Sequence, residues 1–342
     1  MKPLIAFSGE FWDGASGLGL ADGFRGAGFD VAKLDIGDYI AATGGDLLLR
    51  AMSRVSAPRS VAKYREWLLS SCALDPPRIL FSIKGTYLDR DTLLAIKKQG
   101  SLLAMFYPDV DFDHTGVDPD VFNLYDFIFT TKRFHLPWMR ETLRGPAIHH
   151  IDHGYSTRTH LCPEPAMVDM QRFDVGFVGN YSPYKHQWLS EIVALRPALS
   201  FAVAGPNWAS PTRGTALHTV VLGEVFGTTY RRLIARCRIN LAIHHGKTRS
   251  GWADDVSTRT FEIPAAHGFM LHIDNAEIRS LYDVGGEIDT FATPKEAAEK
   301  IDFYLASPER RLAIAQAGFD RAVPAYSYDA RAAAMARLMG FG

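Results

Sequence analysis

The sequence predicts an α/β protein built from two Rossmann-like domains in tandem, and three observations carry that prediction. Short apolar runs alternate with amphipathic helical patterns along the chain, as parallel strands joined by helical crossovers do. At 342 residues the chain is too long for one ordinary hydrophobic core. The alternation also restarts after an aperiodic stretch, 156–172, that contains Pro163 and Pro165.

In the first series, strands are expected at 3–9, 30–36, 78–85, 101–109, 125–131 and 147–154. Helices fit between them at 18–27, 60–72 and 90–100, the last stopped by Gly100. The second series has strands at 173–179, 199–205, 218–223, 239–245 and 269–274. Its helices are expected at 183–195, 228–237, 258–267, 294–306 and 308–319, followed by an Ala- and Arg-rich helix at 328–339. The expected domains are residues 1–165 and 166–327, with 328–342 as a separate C-terminal helix. Ligands of doubly wound sheets bind outside the carboxyl ends of strands, which places the expected active site in a cleft between the two domains.

Composition narrows the function classes. Apolar residues make up 47% and charged residues 22%, the balance of a soluble globular protein. A formal net charge of −1 argues against a non-specific nucleic-acid binder, so no nucleic-acid partner is expected. Cys72, Cys162 and Cys237 lie far apart in no CxxC spacing, which suggests reduced thiols in a cytoplasmic protein. The apolar run of MKPLIAFSGEFWDG is short and broken by Glu10 and Asp13, unlike a signal peptide. No stretch approaches the ~18 apolar residues of a transmembrane helix. The segment TKRFHLPWMRETLRG (131–145) mixes Lys132, Arg133, Arg140 and Arg144 with Phe134, Trp138 and Met139. It reads first as a solvated helix with inward aromatics, and second as a peripheral membrane contact.

Two stretches of the second series carry chemistry. In FDVGFVGNYSPYKHQWL (173–189) an apolar strand ends at Gly179, Asn180 follows, and Ser182-Pro183 starts a helix. A helix N-terminus beside a glycine favours a phosphate, and Lys185 in the first turn adds a positive charge. The bland alternative is an ordinary strand–turn–helix with a surface lysine. In STRTFEIPAAHG (257–268) a single carboxylate, Glu262, stands among apolar residues. Pro264 lacks an N–H and belongs near a helix start, which puts Glu262 at the helix N-terminus, at the carboxyl end of a parallel strand. Its two oxygens can accept from both hydroxyls of a ribose, with Arg259 towards the phosphates. Alternatively Glu262 only complements the helix dipole. Gly268 is expected to end this helix before the strand FMLHID.

The run S-x-R-x-F-E-I-P-A-A and the segment from EIRSLYDVGG to YSYDAR resemble the C-terminal half of GT-B glycosyltransferases, in the spore-maturation-protein-like, or glycosyltransferase family 1-like, branch. FSIKGTYLDRDTLLAIKKQGSLLAMFYPD and DVGFVGNYSPYKHQWL match as well, and the resemblance is weak before residue 75. It implies a GT-B fold, two Rossmann-like domains facing each other across a cleft. The C-terminal domain would hold a nucleotide-sugar donor and the N-terminal one an acceptor, and the last helix would cross back onto the first domain. It implies Glu262 as the ribose-binding glutamate, Gly179, Asn180 and Ser182 as the phosphate loop, and Lys185 and Arg259 as its basic partners. His267 departs from the small residue or glycine usual at that position.

Glycosyl transfer needs the leaving diphosphate stabilised and the acceptor hydroxyl placed in line; in such a protein helix dipoles and basic residues do this without a metal or other cofactor. An inverting enzyme also needs a general base. Candidates on the first domain are Glu10 and Asp13 after the first strand, Asp109 and Asp111 after the fourth, and His153 near the sixth, with His153 and Asp109 favoured. Lys84-Gly85 ends the third strand, where Gly85 permits close approach of a ligand. The D-x-D of PDVDFD and the histidines of HHIDH invite metal readings, but D-x-D is common in turns and His149 and His150 point to opposite faces of a strand. Gly14, Gly17 and Gly19 do not follow their strand as a dinucleotide fingerprint would. Trp208 and Tyr230 are candidates for base stacking or for structure. The alternatives to a glycosyltransferase are a nucleotide-sugar epimerase or phosphorylase on the same double fold, a non-catalytic spore or surface protein, and, more distantly, an NAD-dependent oxidoreductase.

Overall fold

The computed structural model describes residues 2–40, 47–164, 170–248 and 250–341, with side chains outside 47–56. The chain divides into two compact units, Met1–Asp152 with Arg331–Gly342, and His153–Ala330.

The first unit is built on six parallel strands, β1 (Leu4–Gly9), β2 (Asp30–Asp35), β3 (Ile79–Ile83), β4 (Leu102–Tyr107), β5 (Phe127–Thr130) and β6 (Ala147–His150), in the order β2-β1-β3-β4-β5-β6. Every strand falls where the apolar runs place it. The helices are α1 (Ser16–Gly26), α2 (Leu47–Leu74), α3 (Arg90–Lys98) and α4 (His135–Thr142). α2 extends well before the expected start at 60, running through Pro58, a residue that ordinarily marks a helix boundary. β3 and β4 are buried almost throughout, as central parallel strands must be, and Phe7, Phe24 and Phe81 pack edge to face behind them. α4 turns His135 and Met139 inward and stacks Trp138 on Phe112. Lys132, expected on a solvated face, is buried instead, while Arg133 and Arg140 are exposed. Gly17 and Gly19 lie inside α1, and a Cβ at Gly17 would stand 2.4 Å from the Glu10 carbonyl, so this glycine serves close packing.

The second unit repeats the plan with β7 (Phe173–Val178), β8 (Phe201–Ala204), β9 (Val221–Gly223), β10 (Cys237–Ala242), β11 (Met270–Ile273) and β12 (Asp289–Phe291), in the order β12-β11-β10-β7-β8-β9. Its helices are α5 (Pro183–Leu195), α6 (Ala209–Thr212), α7 (Gly227–Arg236), α8 (Arg259–Ala265), α9 (Ala276–Leu281), α10 (Pro294–Ala306) and α11 (Pro308–Ala322). β12 and α9 escape sequence reading because both are short. β12 also opens on Asp289, a buried acid that accepts from Lys300 Nζ (2.9 Å) and the Tyr304 hydroxyl (2.8 Å). The last helix, α12 (Tyr328–Leu338), begins in the second unit, and its residues from Arg331 onward belong to the first.

The strand orders fix where ligands can approach. In the first sheet successive connections part on either side of β1, and in the second on either side of β7, which has β10 and β8 as neighbours. The carboxyl ends of β1/β3 and of β7/β10 are therefore the topological switch points. The expected boundary at 165/166 lies among residues 165–169, outside the described residues. The chain leaves the first unit at Asp152, just after β6. Gly154 then packs so closely on residues 326–328 that a Cβ would stand 2.9 Å from the Tyr326 carbonyl. Among the described residues no helix is long and apolar enough to cross a membrane.

Candidate functional site

The switch point of the second sheet gathers the residues that the sequence singles out there. β7 ends at Val178, and Gly179 N–H continues the ladder to the Ala204 carbonyl. A Cβ at Gly179 would stand 2.4 Å from an Nη of Arg259, so the missing side chain is what admits the guanidinium. Gly205, at φ +128°, is equally constrained, since its Cβ would meet the Gly179 carbonyl at 2.3 Å. Trp208 is buried and its indole N–H donates to that carbonyl at 2.7 Å. It braces the loop and is not accessible for stacking on a base.

Ser182 caps α5 by accepting from the Lys185 N–H at 3.3 Å, with Pro183 as the first helical residue. The cap faces Lys185 inward. The lysine is not a surface residue: it is 2% exposed, and its Nζ donates to the Asn180 carbonyl at 3.0 Å. Burial first, then the Arg259 guanidinium, push its pKa down to about 7 against the pull of Asp254.

Arg259 starts α8, buried over the Phe177 ring, 5.4 Å from its centroid, with Nη2 donating to the Ile243 carbonyl at 3.1 Å. Its Nε is buried without a hydrogen-bond partner, and so is the neighbouring Ser257 hydroxyl. Burial pulls the Arg259 pKa below its ordinary value. Buried polar groups are nearly always satisfied, so these two donors stand out within the site.

Glu262 lies in the first turn of α8, 6% exposed. His160 Nδ1 lies 3.6 Å from Oε1, but that nitrogen accepts the Ser156 N–H (3.1 Å). Burial and then the Glu262 charge hold the Tyr230 hydroxyl well above its ordinary pKa. His160 and Tyr230, in edge-to-face contact at 5.5 Å, thus flank Glu262. His160 is the neighbour that sequence reading missed, since it lies in the aperiodic segment.

α8 itself needs explaining, because Pro264 lies inside it. A proline there deprives the Thr260 carbonyl of its helical donor, and the Tyr282 hydroxyl supplies one at 2.9 Å. Beneath the helix, His272 donates from Nδ1 to the Ile273 carbonyl (2.6 Å), leaving Nε2 to accept from Thr260 (3.0 Å) and His244 (2.7 Å). Burial keeps His272 neutral with a pKa of about 4, as this pattern requires. α8 ends at Ala265, and the left-handed residue that closes it is His267, not Gly268 as expected. His267 has φ +54°, its N–H bonds to Pro264 and the Gly268 N–H bonds to Ile263, the paired contacts of a Schellman cap. A left-handed residue at this point explains why a glycine suits it. His267 is held there by stacking on Phe319, 3.6 Å between ring centroids. Gly268 serves packing, since a Cβ would stand 2.6 Å from Ile234.

The first unit's candidates stand apart from one another. Glu10 and Asp13 lie exposed on the loop after β1, and Glu10 accepts from the Trp12 indole at 3.3 Å. Asp109, after β4, is half-buried and pairs with Lys84 Nζ (3.0 Å) and His114 Nε2 (3.4 Å). Lys84 opens a strained turn after β3 in which Lys84, Gly85 and Tyr87 have φ of 60°, 65° and 62°. The turn is pinned by the Tyr87 N–H to the Gly116 carbonyl at 2.6 Å and by Arg65 Nε to the Tyr87 carbonyl at 2.7 Å. His153 is not on a first-unit loop: it belongs to the second unit and is 5% exposed, because the chain has left the first sheet by Asp152. His149 stacks flat against Phe129 and His150 approaches Asp152 at 3.4 Å. All three cysteines are free thiols.

Residues 185–337 match the family model described as glycosyl transferase-like. No curated protein matches the sequence significantly. Among solved structures, sucrose-phosphate synthase from Thermosynechococcus elongatus is similar with a TM-score of 0.69 at 11% identity, over 99% of this chain and 98% of that one. A glycosyltransferase from Rickettsia africae gives 0.65 at 10% identity, over 98% and 97%. Anabaena HepE in complex with UDP gives 0.62 at 12%, over 99% and 100%. Likeness at such identities speaks to architecture: the chain has the GT-B fold of two Rossmann-like units, and residues 185–337 of it form a glycosyl transferase-like domain.

Proposed function

We propose that the protein is a glycosyltransferase that moves a hexosyl group from a nucleotide-sugar donor to a hydroxyl acceptor without a divalent metal. The observation that carries this reading is the pair of buried cations, Lys185 and Arg259, at the second sheet's switch point, with Arg259 wedged against Gly179 and its Nε unpartnered. A diphosphate supplies an acceptor there, and Glu262 in the same first turn of α8 would accept from ribose hydroxyls. The UDP and UDP-glucose complexes of Anabaena HepE, which shares the fold, support a uridine nucleotide as the first donor to try.

In the reaction, the acceptor oxygen attacks the anomeric carbon and the bond from that carbon to the diphosphate oxygen breaks. The nucleoside diphosphate leaves with the bonding electrons, and the two cations meet its developing charge in place of a metal ion. An inverting transfer passes the acceptor proton to a general base. Asp109 suits this role best, because its ion pair with Lys84 on the pinned turn holds it in place, whereas Glu10 and Asp13 are exposed.

The test is product analysis with UDP-glucose and other nucleotide sugars, with and without saccharide and lipid-linked acceptors. Release of nucleoside diphosphate together with a glycosylated acceptor, unaffected by EDTA, is the expected result. Conversion of the donor sugar in the absence of acceptor indicates an epimerase instead, and no nucleotide binding at all indicates a non-catalytic protein.

A further inference from the structure

We propose that donor binding at the second unit's switch point is proton-linked: Lys185 takes up a proton as the diphosphate group enters and gives it back as the group leaves. The inference rests on the proposed function, since it concerns the same site. Lys185 is 2% exposed, and its Nζ donates to the Asn180 carbonyl at 3.0 Å. Among the described residues no carboxylate forms an ion pair with it. The charged groups that face it are Arg259 from α8 and Asp254 from the loop before α8; its own segment adds Tyr181, Tyr184 and His186. Arg259 is itself buried, wedged against Gly179, and its Nε lacks a partner.

Lys185 and Arg259 are thus buried side by side, with the half-buried Asp254 acting on both and Glu262 on Arg259. A guanidinium keeps its proton under any ordinary condition, so the cost of burying two neighbouring cations is relieved at the amine. A neutral amine retains N–H groups to donate to the Asn180 carbonyl, so losing the proton does not break the contact. Burial and Arg259 place the empty site's amine pKa at about 7. A diphosphate reverses the balance, because its negative charge beside Nζ favours the ammonium form.

The linkage has a definite sign. Below pH 7 the amine is already charged and binding takes up little. Above it, binding draws in a proton and weakens as pH rises, until the pKa of the occupied site is reached. The diphosphate of a nucleotide sugar does not titrate between pH 7 and 8.5, so the proton taken up there belongs to the protein.

The experiment is calorimetry of the full chain with UDP-glucose at pH 8 in HEPES and in Tris, whose ionisation enthalpies differ. The expected result is net proton uptake on binding and affinity several-fold weaker at pH 8.5 than at pH 7. In Lys185→Arg, where the charge is fixed, uptake vanishes and the affinity no longer falls over that range. Binding by the parent protein without uptake, or unchanged uptake in Lys185→Arg, overturns the proposal while leaving the proposed function standing. Failure of UDP-, dTDP-, GDP- and ADP-sugars alike to bind overturns the proposed function and this inference together. The parent protein alone decides the matter if the variant does not fold.

Discussion

The carboxyl ends of the two sheets are built on one topological plan and finished in opposite ways. At the second sheet's switch point, charge is buried and incompletely satisfied: Lys185 and Arg259 lie beneath the surface, and Arg259 Nε and the Ser257 hydroxyl have no partner. At the first sheet, charge is half-exposed and paired, as in the Lys84–Asp109–His114 cluster, and the unusual feature is backbone strain in the turn at Lys84–Tyr87. Buried, incompletely satisfied charge suits a ligand part that is always the same, such as the diphosphate of the proposed donor. A surface cluster on a pinned turn suits the variable partner, whose hydroxyl must be activated and whose remaining structure is met by loops.

The largest effect that can break this contrast is at Arg259. Arg259→Met removes a buried guanidinium from the anion site and is expected to weaken nucleotide-sugar binding at least 100-fold, about 3 kcal/mol. Calorimetry checks this, and thermal unfolding should show that the variant remains folded. Asp109→Asn is the counterpart in the first unit. It should lower turnover about 100-fold while donor affinity stays within a factor of two. Equal losses of donor affinity in both variants erase the division of labour between the units. Glu262→Gln keeps the shape of α8 but replaces an acceptor oxygen by an amide donor, and donor affinity should fall about tenfold, about 1.4 kcal/mol. A deoxyribose donor should lose less in this variant than a ribose donor. The smallest effect is expected at His267→Gly, which relieves the left-handed conformation but removes the stacking on Phe319. The two changes oppose each other, so stability should shift by no more than about 1 kcal/mol, with nucleotide affinity unchanged.

The contrast between the two ends also marks what the sequence makes legible. Parallel strands buried on both faces are continuous apolar runs, and all six of the first sheet can be read from them. The start of α5 is equally visible, because Ser182-Pro183 is a local signal with a local cause. β12 is hidden because its three residues begin with a buried Asp289, whose partners Lys300 and Tyr304 come from a later helix. The burial of Lys185 is hidden for a similar reason. A lysine in a first helical turn is ordinarily solvated, whereas this one is buried near Arg259 of α8, far along the chain. Pro264 signals a helix start when read alone; the Tyr282 hydroxyl that lets it sit inside α8 comes from beyond β11. Local chemistry is readable, and compensation supplied from a distance is not.

A crystal structure with UDP-glucose bound tests the central claim most directly. The diphosphate should lie within hydrogen-bond distance of Arg259 Nε and Lys185 Nζ, with the ribose hydroxyls on the Glu262 carboxylate. A nucleotide seated instead on the first unit, or bound in the second with Arg259 Nε still unpartnered, contradicts it.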